Sequence, residues 1–324
     1  MKKTDKFLKD GIVLLNKEKG VSSFKAINKL KMQINANKTG HAGTLDPMAE
    51  GLLIVMLNGA TKFSDSLMKK DKEYYTELEL GYQTDTYDTE GKVTHKYNKK
   101  IEISDEKIIE TVKSFLGDIE QLPPMYSAIK IDGKKLYELA RKGVEIERKT
   151  RKVKINSIEK IKIERGNPFK LSFYVNVSSG TYIRTLVRDI GDRLRVYATM
   201  TKLLRTKIGN FSLKDAVSLK EMGNMGENPN IEETENIIKL KNVESIFDYN
   251  EMIVNSEKYK KLKNGMTVLF KINKFKEIHK INENMIYKVY VKNDISKQKE
   301  FKGIARVIKK ETDSVYMKRE KYFL

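Results

Sequence analysis

The stretch GHAGTLDPMAEGLLIVML, residues 40–57, constrains the fold of this chain more than any other. Its last six residues, Leu52 to Leu57, are apolar without interruption and rich in branched side chains, the pattern of a strand covered on both faces. A sheet containing such a strand needs packing layers on either side. Just ahead of it the chain places His41, Asp46 followed by Pro47, and Glu50, so that polar groups crowd the strand's edge. An aspartate before proline commonly opens a helical turn, because the carboxylate accepts backbone N–H groups and proline needs no donor at the first helical position. Local sequence alone favours that capping role over chemistry for Asp46. Glu50, four residues on, gives a carboxylate pair, but two carboxylates on one short turn do not obviously flank a sugar as a glycosidase requires.

Around this stretch the periodicities alternate irregularly. Residues 11–15 read as a strand. KEKGVSSFKAINKLKMQI then turns at Gly20 and enters a helix, with Ser22 or Ser23 as N-cap and Phe24, Ile27 and Leu30 on one face. NGATKFSDSLMKK has a helical period through Phe63, Ser66 and Leu67. YYTELELGY alternates as a half-buried strand does, which puts Tyr74 and Tyr75 on opposite faces, and turn residues including Asp85 and Asp88 end it. Residues 104–116 read as a helix. The segment 121–149 differs from its surroundings: it starts Pro-Pro, turns at Gly133, forms a short helix through Leu136, Leu139 and Ala140 closed at Gly143, and interleaves basic residues with Tyr126 and Tyr137, as a mobile arm does. Strands at 152–163 and 169–178 follow. A helix after Gly180 then turns Ile183, Leu186, Val187 and Ile190 inward, and Arg184 among them calls for an anionic partner if buried.

This order predicts an α/β (α+β) fold with a mixed, mainly antiparallel sheet flanked by helices. Residues 219–250 are polar and aperiodic, as a linker or peripheral segment is. From 251 on, short β-rich runs such as MTVLFKI, MIYKVYVK and KGIARVI predict a small β module. The expected domains are therefore 1–218, 219–250 and 251–324.

The absence of cysteine excludes disulfides, thiolate nucleophiles and iron–sulfur clusters, and three histidines are too few for a His-rich metal centre. The run Ile12 to Leu15 is far shorter than a signal peptide's hydrophobic segment, and no later run spans a bilayer, so a cytoplasmic protein without a membrane partner is expected. A formal net charge of +20 points to a polyanion, because positive surface attracts phosphates by Coulomb forces and counterion release.

Read in order, GHAGTLDPMAEGLL, DKEYY, GYQTDTYDTEGK, GDIEQLPPMYSAIKIDGKKLYELARKG and SSGTYIRTLVRDIG resemble the TruB family of tRNA pseudouridine synthases, which isomerise the T-loop uridine at tRNA position 55. The resemblance runs from about residue 10 to 215. A weaker likeness, in SIFDYNEMIVNSEKYKKLKNGM and FKGIARVI, is to that family's small C-terminal PUA-like domain. The resemblance implies that Asp46 is the catalytic aspartate, that Tyr74 stacks on the target base and that Arg184 pairs with Asp46. It further implies that His41 contacts displaced loop nucleotides, that Tyr182 and Leu203 wall the uridine pocket, and that Asp88 joins Arg184. Lys17, which the resemblance counts among the substrate-binding residues, and Gly20 fall in the family's N-terminal motif, where Glu18 stands in place of a frequent proline, and Ala42 replaces a frequent threonine. On the arm, Lys130, Lys134, Lys135, Arg141 and Lys142 would hold phosphates of the T arm.

The implied reaction breaks the uridine N1 glycosidic bond and remakes it at C5, with no redox change and no group transferred, so neither cofactor nor metal is expected. The aspartate would act on uracil C6 or on ribose C1′; the sequence leaves both open. Burial alone favours a neutral carboxyl, whereas an adjacent guanidinium favours the charged one, which is the service Arg184 would render. The base must leave its stack to be reached, at a cost of roughly a few kcal/mol. The expected partner is tRNA, through its T arm and T loop, with the protein acting as a monomer without an obligate protein partner. A non-catalytic RNA-binding or tRNA-folding protein is the alternative that explains the charge and the arm equally well.

Overall fold

A computed structural model describes residues 6–127, 129–131, 133–140, 142–222, 230–272, 281–292 and 298–322. Its main feature is a ten-stranded mixed sheet in which most neighbours run antiparallel. The strand Glu50–Leu57 lies near its middle, antiparallel to Gly11–Lys17 and parallel to Ala198–Ile208 over a short stretch. Lys72–Leu80, Phe169–Val177, Arg151–Glu164 and Gly117–Gln121 follow in antiparallel register toward the other edge.

The unbroken apolar run does what its composition requires. Leu52, Ile54 and Met56 enter one core with Ile12, Leu14 and Phe63, while Leu53, Val55 and Leu57 enter another with Val13, Leu30 and Ile238. All six are fully buried, and each such side chain contributes about 1.5–3 kcal/mol of transfer free energy. A third core lies on the remaining strands. There the helix Ile183–Leu194 packs Ile183, Leu186, Val187 and Ile190 against Leu78, Leu171 and Val175, with the helix Asp105–Lys113 beside it.

Two expectations need correction. The helix Ser23–Gln33 starts as predicted, with the Ser22 side chain accepting from the Lys25 N–H, but its inward face is Ser23, Ala26, Ile27 and Leu30. Phe24 lies about 100° round from Ser23 on the helix and is 73% exposed. The stretch 219–250 is no free linker. It carries the helices Leu219–Met222 and Ile231–Ile237, the second closed by a reciprocal Asn230–Glu233 capping box, and it buries Met222, Ile238, Val243 and Phe247 against the main sheet. Its few apolar residues are spread among polar ones, so no period reveals them. The turn residues after Lys72–Leu80 form a hairpin, Tyr82–Thr84 with Val93–Lys96.

The C-terminal β-rich runs form a five-stranded sheet with its own core, including Val254, Val289, Val307 and Met317. It meets the main sheet through Phe301 and Ile304, which pack with Phe63 and Phe247; the Phe63 and Phe247 rings stand edge to face at 5.3 Å.

Candidate active site

Asp46 sits in a turn closed by the Ala49 N–H donating to the Asp46 carbonyl at 3.1 Å, just before the strand Glu50–Leu57. The turn is anchored by its neighbours: Leu45, Met48 and Ala49 are all buried in the core under the helix Ile183–Leu194. Three polar clamps hold it further. The Ser23 hydroxyl accepts from the Leu45 N–H at 2.8 Å and donates to the Leu45 carbonyl at 2.9 Å. The Gly20 N–H and the Lys17 ammonium both donate to the Pro47 carbonyl, at 2.8 and 3.4 Å. Arg205 donates to the carbonyls of Gly43, Thr44 and Leu52, so one guanidinium ties both ends of the loop to the strand Ala198–Ile208. Gly51 permits that closeness: its φ is +100°, and a Cβ there would lie 2.5 Å from the Arg205 carbonyl oxygen.

The Asp46 carboxylate pairs with Arg184, whose guanidinium meets it at 2.9 Å. Arg184 is itself buried, and it reaches Asp88 at 3.7 Å and the carbonyls of Thr86 and Tyr126 at 3.1 and 2.8 Å. Asp88 is held by the Thr86 hydroxyl and the Glu90 N–H. The helix position of Arg184 and the turn carrying Asp88 thus place a cation between two carboxylates. The inner one, Asp88, is 3% exposed in its side chain and the outer one, Asp46, is 39% exposed, so Asp46 faces solvent where a substrate can approach.

Asp46 stands between two depressions that share it and Arg184. One, of about 510 Å³, is walled by Tyr74, Tyr182, Leu203, Arg205 and Lys72, within the size range of small-molecule sites. Strand alternation sends Tyr74 into this pocket and Tyr75 to the other face, where it packs on Tyr174. Tyr182 is fixed by Gln121, which accepts from its backbone N–H at 2.7 Å and donates to its carbonyl at 3.0 Å; burial pushes its phenol up. The second depression, of about 500 Å³, is bordered by Phe24, Tyr126, Tyr137, Asp88 and Glu90. Burial, together with the Asp88 and Asp46 charges, raises the Glu90 carboxyl. A larger depression of about 880 Å³ lies beyond Leu80, at the end of the sheet, and holds none of these groups.

The remaining expected residues fall around this centre. His41 closes the short strand Thr39–His41 and lines neither depression; its Nδ1 is buried without a hydrogen-bond partner among the described residues, and burial with the Arg205 charge lowers its pKa. Glu50 begins its strand and lines neither depression. Lys17, expected to touch substrate, is wholly buried behind the Asp46 turn, with its ammonium on the carbonyls of Glu18, Val21 and Pro47. It supports the turn and does not line the pocket. On the arm, Lys142 is exposed. Arg141 and the side chains of Lys130, Lys134 and Lys135 lie outside the described residues. Sequence reasoning missed Ser23, Lys72, Glu90, Gln121 and Arg205. Lys72, beside Tyr74 in DKEYY, was the one within reach, since alternation puts it on the same face.

Burial, partly offset by Asp46, pushes the Lys17 ammonium down to about 8. An unfolded chain keeps that proton up to the ordinary lysine value of 10.5. Between about 8 and 10.5 the folded chain therefore holds fewer protons, and this group makes folding more favourable as pH rises; below 8 its contribution is flat. The melting-temperature gap between the wild type and Lys17→Met is accordingly expected to grow in the wild type's favour from pH 8 to pH 10. A gap independent of pH would rule out that ionisation.

A family model described as "TruB family pseudouridylate synthase (N terminal domain)" matches residues 31–183, and one described as "tRNA pseudouridylate synthase B C-terminal domain" matches 184–246. The chain is thus of the pseudouridylate synthase class. The relatives narrow this. A tRNA pseudouridine synthase B of Clostridium kluyveri is 40% identical over 88% of this chain and 93% of its own length, and one of Fusobacterium nucleatum is 43% identical over 92% and 96%. The chain belongs to the TruB family. Among solved structures, a Cbf5–Nop10–Gar1 complex has a chain that superposes with a TM-score of 0.68 over 97% of this chain and 85% of that one, at 22% identity, which shows a shared fold.

Proposed function

We propose that this enzyme converts the T-loop uridine of tRNA, position 55, to pseudouridine without a cofactor. The observation that carries this reading is the half-exposed Asp46 carboxylate, 2.9 Å from a buried arginine, at the edge of a pocket walled by Tyr74, Tyr182 and Leu203. The uridine leaves its stack, Tyr74 replaces the lost stacking with its ring, and the carboxylate acts on the uracil or on its sugar while Arg184 holds it. The arm and His41 engage the surrounding loop, and the C-terminal sheet serves as a PUA-like RNA-binding domain behind a catalytic part spanning 1–218. The protein works in the cytoplasm as a monomer.

The relatives named above carry tRNA in their names, which supports the substrate class. The test is an unmodified tRNA transcript incubated with purified protein and mapped for pseudouridine. A single modified position in the T loop, lost when that uridine is transcribed as cytidine, is the expected result. Modification elsewhere, or none with tight binding retained, would favour a binding or folding role.

A further inference from the structure

Two buried cations on the wall of the Asp46 pocket have no carboxylate in contact with them among the described residues. Lys72 is 7% exposed and Arg205 1%. The Lys72 ammonium donates to the carbonyls of Met68 and Lys70, and Arg205 to those of Gly43, Thr44 and Leu52. Among the described residues no carboxylate oxygen lies within 4 Å of either. The other buried arginine differs, since Arg184 has Asp46 and Asp88, and the partly buried Arg188 likewise has Asp189 and Asp192. Buried charge is costly unless an opposite charge meets it, and carbonyl dipoles satisfy donors without cancelling the charge. Donors also remain: the ammonium has used two of its three and the guanidinium three of its five.

The pocket's charges point the same way. Its lining holds Lys69, Lys72, Arg184 and Arg205 against one carboxylate, Asp46, which Arg184 already matches. Lys69 is exposed beside Lys72, so the excess of positive charge is open to solvent at that wall. Burial and the repelling Arg205 charge outweigh the opposing charge of Asp71 and push the Lys72 ammonium down to about 8.

We infer that Lys72 and Arg205 form an anion subsite for a backbone phosphodiester flanking the flipped nucleotide, which draws that nucleotide into the pocket beside Asp46. This rests on the proposed RNA substrate and adds to it the group that is gripped. A phosphodiester fits the donors because it is anionic at every pH of interest and offers two unesterified oxygens to an ammonium and a guanidinium at once.

The test combines protein and RNA changes. T-arm hairpins are made with all phosphates, or with one neutral methylphosphonate linkage on the 5′ or the 3′ side of the target uridine, and their affinities for wild-type protein and Lys72→Met are measured. For the wild type, one of the two neutral linkages is expected to weaken binding about tenfold, and which one identifies the phosphodiester. Lys72→Met should bind the all-phosphate hairpin about tenfold more weakly and lose distinctly less than the wild type with that linkage, since only Arg205 still meets the phosphate, while Lys72→Arg restores the wild-type pattern. Additive losses from the two changes, or no loss with either linkage on the wild type, would overturn the inference; the wild-type measurement decides even if a variant fails to fold. Pseudouridine formation by wild type in the all-phosphate hairpin is the internal control, since its absence counts against the T-loop reading and its presence without coupling counts against this subsite alone.

Discussion

Asp46→Asn is expected to lower the single-turnover rate of pseudouridine formation by at least about 10⁴-fold, the scale on which removal of a covalent or charge-bearing catalytic group is felt. The substitution is nearly isosteric. Its amide oxygen can still accept from Arg184, and the turn keeps its anchors in Leu45, Met48 and Ala49 and its clamp on Ser23. Melting should therefore shift little, with a stability change of roughly 0.5 kcal/mol or less. RNA affinity should survive as well, because the electrostatic attraction comes from the net charge of +20 spread over the chain. What the amide lacks is the full negative charge that can add to an electrophilic carbon or sit beside one as its bond to the base breaks.

Removal of Arg184 should produce the second-largest effect, and of a different kind. Arg184→Met leaves Asp88 buried without its cation, and breaking a buried pair in this way costs about 3–5 kcal/mol. It also releases the carbonyls of Thr86 and Tyr126 and frees Asp46 to move. Activity should fall by about 10²–10³-fold, the range seen when a preorganised charge partner is lost. The double variant Arg184→Met/Asp88→Asn separates the two consequences. It no longer buries an uncompensated charge, so stability should recover substantially by calorimetry, while the rate stays low because Asp46 is still without its partner. Recovery of both together would mean that Arg184 is only a structural residue.

Local periodicity makes part of this centre legible in the primary structure, whereas the pairing of Asp46 with Arg184 is expected only through the resemblance to the TruB family. Alternation assigns Tyr74 and Tyr75 to opposite faces, and the helical period places Arg184 beside Ile183 and Leu186, where burial calls for an anionic partner. The unbroken run Leu52 to Leu57 announces a strand buried on both sides, and the structure supplies a core for each. What escapes notice is held together across long separations. Arg205 binds the carbonyl of Leu52, 153 residues away, and Gln121 fixes Tyr182 from 61 residues away. Neither contact leaves a local trace. The Asp-Pro pair illustrates a subtler limit: local chemistry favours a capping carboxylate, yet the turn is closed by a backbone bond and the carboxylate is directed to Arg184. Phe24 shows the opposite error, since an aromatic residue at the start of an amphipathic helix looks like core until Ser22 fixes the helix start and with it the inward face.

The central claim, that the Asp46 carboxylate held by Arg184 transfers the uracil linkage from N1 to C5, has a direct readout, because the hydrogen at C5 must leave for solvent when the new bond is complete. Tritium release from a tRNA transcript labelled at uridine C5 measures it. Wild-type protein is predicted to release the equivalent of one uridine per tRNA, and Asp46→Asn, bound to the same tRNA with the same affinity, none. Release by the Asn variant at a rate near that of the wild type would contradict the account.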